Sequence, residues 1–199
     1  MPFRTLTYPE SAPSGKHHRQ RLETANRSRK STIMCNSLPI QRIVSGGQTG
    51  VDRAALNVAI ALHINHGGWC PRNRLAEDGR IPEIYCLTET ESAGYPDRTR
   101  RNILDSHGTL ILYQGQLHGG TKLTWKLAKE LGMPHQLTDL QRKWSTSSIL
   151  HWMTDHQITV LNIAGPRESS HPGIGNQAAR FLERLLTPLQ RRESSRCRC

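Results

Sequence analysis

The residues best placed to do chemistry are Ser45-Gly46-Gly47-Gln48-Thr49-Gly50, with Asp52 two positions on. Glycines let a backbone take positive φ and approach a ligand closely. When a helix follows, such a loop turns free N–H groups and the positive end of the helix dipole toward an anion. The Ser45 and Thr49 hydroxyls add hydrogen bonds, and Asp52 either caps the first helical turn or contacts a ribose-like hydroxyl. The plainer alternative is that Gly46, Gly47 and Gly50 only make a tight turn. Two more loops carry the same chemistry. His118-Gly119-Gly120-Thr121 places glycines and a hydroxyl before a helix, where Lys122 is either a phosphate partner or a solvated lysine. Gly165-Pro166-Arg167-Glu168-Ser169 offers a guanidinium fork to phosphate or carboxylate, unless Arg167 and Glu168 form a surface pair.

Other residues carry weaker signals. Cys70, beside Trp69, could touch a soft metal or a flat ring, or be a buried core thiol. Glu77 and Asp78 are adjacent carboxylates suited to acid–base work or to holding a cation, on a polar stretch where acids are common. Arg98, near the start of a helix, is the arginine expected to face the site. The ten histidines match no tight ligand spacing, and neither Cys70 nor Cys86 belongs to a C-x-x-C pair, so no metal site is expected. Familiar nucleotide motifs are absent. Val51-Asp52 follows Gly50 where a P-loop needs Lys-Ser/Thr, and no G-x-G-x-x-G occurs.

These loops need a scaffold. Gln41–Ser45, Ile64–Cys70, Thr109–Tyr113, His135–Leu137 and Ile158–Ala164 read as strands, the second interrupted at Gly67-Gly68. Val51 to Leu62, Asp97 to Leu104, Leu123 to Leu131, Ile149 to Met153 and Ile174 to Leu185 carry helical spacing, with Asp97 as an N-cap. Pro71–Pro96 reads as a long irregular segment, the kind that is usually functional or disordered. The alternation predicts an α/β, Rossmann-like, doubly wound, mostly parallel sheet with helices on both faces. Ligands of such sheets bind beyond the carboxyl ends of the strands, where all three Gly-rich loops fall.

Composition narrows the choice further. The formal charge of +11 is uneven: residues 1–40 hold seven Lys/Arg and two Glu, and residues 187–199 hold four Arg and one Glu. The body between is nearly balanced, so nucleic acid is not the expected partner and the ends are expected to be solvated tails. Residues 1–38 are expected to be a disordered basic extension, 39–186 the domain and 187–199 a basic tail, with Met34 a candidate start. No apolar run is long enough for a membrane span, and no secretory signal core is present, which predicts a cytoplasmic chain.

Ile43–Leu56 resembles the opening of the putative molybdenum carrier family, also described as circularly permuted YpsA-like within the SLOG group. Gly67–Pro71, Ala76–Gly79, Tyr95 with Arg98-Thr99, Asp105–Ile111, Gly119–Thr124, Leu161–Ser169 and Pro172–Ile174 continue the resemblance over roughly residues 41–186. It implies a Rossmann-like fold, a homo-oligomer, and a pocket for the molybdenum cofactor (molybdopterin) or another nucleotide-like phosphate ligand. The expected ligand-binding set is Ser45, Gly46, Gly47, Gln48, Thr49, Gly50, Asp52, Cys70, Arg98, Gly119, Gly120, Thr121, Gly165, Pro166, Arg167 and Glu168. Two positions depart from the pattern: His107 stands where an acid is expected, and Gly175 where an aromatic is. SLOG enzymes that cleave N-glycosidic bonds resemble one another in a Gly-Gly-x-Gly-Thr loop followed by Glu. Gly119–Thr124 offers no such Glu, so a binding protein is expected over a phosphoribohydrolase using Glu77, Asp78 or Glu168, or a nucleotide-derivative sensor.

Overall fold

The computed structural model describes residues 40–196, with side chains as far as Leu189. The expected N-terminal extension and the candidate start at Met34 lie outside the described residues. Six strands form one sheet: β1 (Arg42–Val44), β2 (Asn65–Cys70), β5 (Leu87–Glu89), β6 (Gly108–Tyr113), β7 (His135–Asp139) and β8 (Val160–Ala164). Their order is β5-β2-β1-β8-β6-β7, and every pairing is parallel. Among the described residues four helices connect them, α1 (Val51–Ala61), α2 (Tyr95–Leu104), α3 (Gly119–Glu130) and α4 (Thr146–Asp155), and α5 (Ile174–Arg196) follows the last strand. This is the expected α/β Rossmann-like arrangement. The chain winds outward from β1 to β5, crosses to β6 and β7, and returns through β8 to lie beside β1.

Period-two alternation divides the side chains between the two faces of the sheet. Ile43, Leu110, Leu112, Leu161 and Ile163 point to one face and meet Val51, Ala55 and Val58 of α1. Ile149 and Met153 of α4 and Ile174, Phe181 and Leu185 of α5 complete that core. Phe181 is fully buried and meets Trp144 edge-on at 4.6 Å. Its truncation to Ala would cost about 3–5 kcal/mol. The alternate residues, Thr109 and Asn162 among them, face α2 and α3, and the Asn162 side-chain amide donates to the Thr109 hydroxyl (3.1 Å).

Four local expectations change. Strand β2 runs unbroken through Gly67-Gly68, and only glycine suits Gly68. Its φ is +134°, and a Cβ there would sit 2.3 Å from the Ser45 carbonyl oxygen. Helix α2 begins at Tyr95, two residues before the expected cap, because Pro96 fits the first helical turn. Asp97 instead pairs with Arg101 one turn on (3.2 Å). Helix α5 continues past 186 to Arg196, with Leu189 buried.

The segment after β2 is not irregular throughout. A tight turn at Arg72–Arg74 leads into β3 (Leu75–Ala76) and β4 (Gly79–Arg80), an antiparallel pair. The Arg74 guanidinium is buried beneath them and donates to the carbonyls of Ile81, Leu87, Pro82 and Tyr85 at 2.9–3.1 Å. One long polar side chain thus supplies the hydrogen bonds that a short sequence of poor periodicity cannot make for itself.

Candidate functional site

Parallel strands place their C-terminal ends, and the helix N-termini that follow, along one edge. A cleft of about 340 Å³ opens there, between the loops after β1, β6 and β8 and the first turns of α2 and α3. All three Gly-rich loops reach it. Loop one contributes Gly46, Gln48 and Asp52, loop two Gly119, Gly120 and Thr121, loop three Gly165, Pro166 and Arg167, and α2 contributes Arg98.

Six residues of the expected set do not line the cleft. The Ser45 hydroxyl is buried and donates to the Ile163 carbonyl (2.8 Å), tying β1 to β8. Gly47 faces apolar side chains: a Cβ there would lie 2.5 Å from Leu87 and 3.1 Å from Ile81. Gly50 interlocks loops one and three, because a Cβ would strike the Pro166 carbonyl at 2.5 Å. The Thr49 hydroxyl donates to the Glu77 carboxylate and accepts from the Glu168 N–H (3.2 Å). The Glu168 carboxylate receives the N–H groups of Gly173 and Gly175 and so caps the start of α5. Cys70 is wholly buried among Leu56, Ala76, Ile81 and Tyr85, and burial pushes its thiol up, away from the thiolate that a metal needs.

The acidic pair is also occupied elsewhere. Glu77 receives the Thr49 hydroxyl, the Ser169 hydroxyl and the Ser169 N–H (3.1 Å), with Arg167 at 3.8 Å. Desolvation pushes its carboxyl up, but those hydrogen bonds and the Arg167 charge outweigh it and hold the group below its ordinary range. Asp78 grips Arg53 at 2.9 and 3.1 Å, and Arg53 in turn donates to the Gly47 carbonyl. The two acids therefore strap loop one to its neighbours. Neither lines the cleft.

Inside the cleft the charge is mostly positive. Asp52 is buried, and its Oδ2 meets Arg98 Nη1 at 3.2 Å. Burial pushes the Asp52 carboxyl up, while Arg98 and the N–H groups of Gln48 and Gly165 pull it back. Gly46 makes this pair possible: a Cβ would overlap Arg98 Nη1 at 1.7 Å. The Tyr95 ring stands beside two guanidiniums, Arg98 at 5.3 Å and Arg167 at 5.7 Å from its centroid. Gly119 and Gly120 open α3, and a Cβ on either would meet nothing within 4 Å. The first N–H groups of α3 have no acceptor within the helix, so an anion can approach them unhindered.

Sequence reasoning missed Tyr95, Thr99 and Asn102, which line the cleft with Arg98. Their spacing over α2 is that of one helical face and could have found them once the helix began at Tyr95. His171 and Asn162 carried no comparable signal. The two departures from the family pattern have separate fates. His107 lies at the opposite end of the sheet, its Nδ1 against the N–H groups of Thr159 and Val160 (3.4 Å). Gly175 sits against Glu168, where a Cβ would lie 3.1 Å from Oε2, so the small residue makes room for the cap. Among the described residues no group of three or more His, Cys, Asp or Glu could hold a metal, and no helix is long and apolar enough to cross a membrane.

Comparison with known proteins bears on this arrangement. The model of the circularly permutated YpsA SLOG family matches residues 43–186, the span that holds all three loops. A crystal structure of the putative molybdenum carrier protein from Syntrophus aciditrophicus SB is 47% identical. The match covers 74% of this chain and 96% of that one, with a TM-score of 0.73. No curated protein matches the chain. On the fold, the loops and the extent of the match, the chain belongs to the circularly permutated YpsA SLOG family.

Proposed function

We propose that the chain binds and carries a phosphorylated heterocycle of the molybdenum cofactor class, with a nucleotide-like ligand as the nearest alternative. The observation that carries this reading is the bare N-terminal turn of α3, Gly119-Gly120-Thr121, opening onto a cleft flanked by Arg98 and Arg167. The N–H groups suit a phosphate. Tyr95, Pro96, Leu123 and Pro166 give the walls a flat, partly apolar character that suits a ring. The similar Syntrophus protein, named for molybdenum carriage, supports the choice of ligand class. Cys70 is buried away from the cleft and would not hold the metal of such a cargo.

The competing reading is nucleotide hydrolysis. It needs a free carboxylate at the reacting atoms, but Glu77, Asp78 and Glu168 are engaged elsewhere and do not line the cleft, and Asp52, which does, is buried against Arg98. A homo-oligomer, implied by the family resemblance, and a cytoplasmic location, expected from the sequence, belong to the same proposal. Calorimetric titration with guanosine monophosphate and with guanosine tests the phosphate requirement. The monophosphate is expected to bind at least about tenfold more tightly, from one or two charge-assisted hydrogen bonds, and to be recovered unchanged. Equal affinity for the nucleoside, or its release as free base, overturns the reading.

A further inference from the structure

Gln48 is held in one orientation. Its side-chain Oε1 accepts the N–H of Thr49 (3.0 Å) and the N–H of Glu77 (2.9 Å). Two donors can meet only the oxygen of the amide, so the other end is the NH2. That Nε2 is buried without a partner, on a residue 6% exposed that lines the cleft. Arg98 repeats the pattern: Nη1 rests on Asp52, and Nε is buried without a partner. His171, from the loop after β8, adds a third buried and unpartnered nitrogen, Nδ1, in the same cleft. A buried donor left unpaired is costly, so Gln48 Nε2 and Arg98 Nε call for an acceptor in this cleft, and His171 Nδ1 can join them as its N–H tautomer. The cleft's own carboxylate, Asp52, is already engaged with Arg98 through Nη1, not Nε.

This donor group is not the α3 terminus. Gln48 follows β1 and α3 follows β6, and β8 lies between those strands. At the usual strand spacing the ends of β1 and β6 are about 10 Å apart, so the two groups of donors start from separate strands. Resting on the reading above, we infer that the cleft has a second oxyanion subsite on Gln48 Nε2, Arg98 Nε and His171 Nδ1. The cargo is therefore a molecule with two oxyanionic groups, the phosphate at α3 and a second oxyanion at the β1 side.

Equilibrium dialysis of the full chain against labelled inorganic phosphate tests this. The wild type is expected to bind two phosphates. Gln48→Glu keeps the acceptor for Thr49 and Glu77 but replaces the donor by a carboxylate oxygen. It should weaken one phosphate about tenfold or more and leave the other. His171→Leu should lose the same phosphate, and Gly120→Trp the other one. A wild type that binds one phosphate, removed by Gly120→Trp and untouched by Gln48→Glu and His171→Leu, overturns the second subsite and leaves the proposed function standing. Loss of a single phosphate in all three variants also overturns the second subsite. A wild type that binds none overturns both readings.

Discussion

Gly46 shows how one missing side chain can set the chemistry of a site. Its lack of Cβ lets Arg98 cross the loop to Asp52, which fixes the guanidinium where it serves the cleft. Gly46→Ala should expel Arg98 and strand a buried carboxylate, at a cost of about 3 kcal/mol near neutral pH. The sign of its pH dependence follows from Asp52. Burial already pushes that carboxyl up, so as pH falls it takes a proton more readily in the folded state and the penalty shrinks. Urea unfolding at pH 7 and pH 5 checks this: a larger deficit at pH 7 is expected, and an equal one would refute the role given to Gly46. Glycine content alone pointed to the first loop but not to what each glycine does. Gly46, Gly47 and Gly50 face a guanidinium, an apolar cluster and the third loop respectively. Residue type announces that a close approach exists. Only the fold says what approaches.

At the scale of elements, Glu77 joins the loop after β1 to the loop after β8 through Thr49, Ser169 and Arg167. Its carboxyl is held below its ordinary value of 4.5, so its contribution to stability is present above that pH and is lost as pH falls through the lower folded value. Glu77→Gln should therefore be less stable than wild type at pH 6, with the gap narrowing as pH falls below 4.5 in urea titrations. A gap that stays constant as the solution is acidified would contradict the strap. The main strands and helices were legible because their apolar residues recur at periods of 2 and 3.6. The segment between β2 and α2 was not, because Arg74 organises it through backbone carbonyls, which leave no mark in a hydrophobic pattern. The start of α2 was misplaced for a related reason: Asp97 is a good cap by type, yet Gly94-Tyr95-Pro96 begins the helix earlier. That shift carries Tyr95 to the cleft wall.

The whole molecule reads as a parallel sheet whose reversal of strand order places three loops around one cleft, with α1, α4 and α5 securing the opposite face. Ten of the sixteen expected binding residues reach the cleft; of the other six, Ser45, Thr49, Gly50 and Glu168 tie together the elements around it, while Gly47 and Cys70 face apolar side chains. The sequence carried the loops, but it could not separate a residue that touches a ligand from one that holds its neighbour still. The most direct test of the account compares native mass spectra of the full chain and Gly120→Trp, both purified without oxygen. Gly120 has open space around its Cβ position, so the indole should fill the cleft without disturbing the fold. The account predicts a phosphate-bearing small molecule retained by the wild type and absent from Gly120→Trp. The same mass retained by both proteins would contradict it.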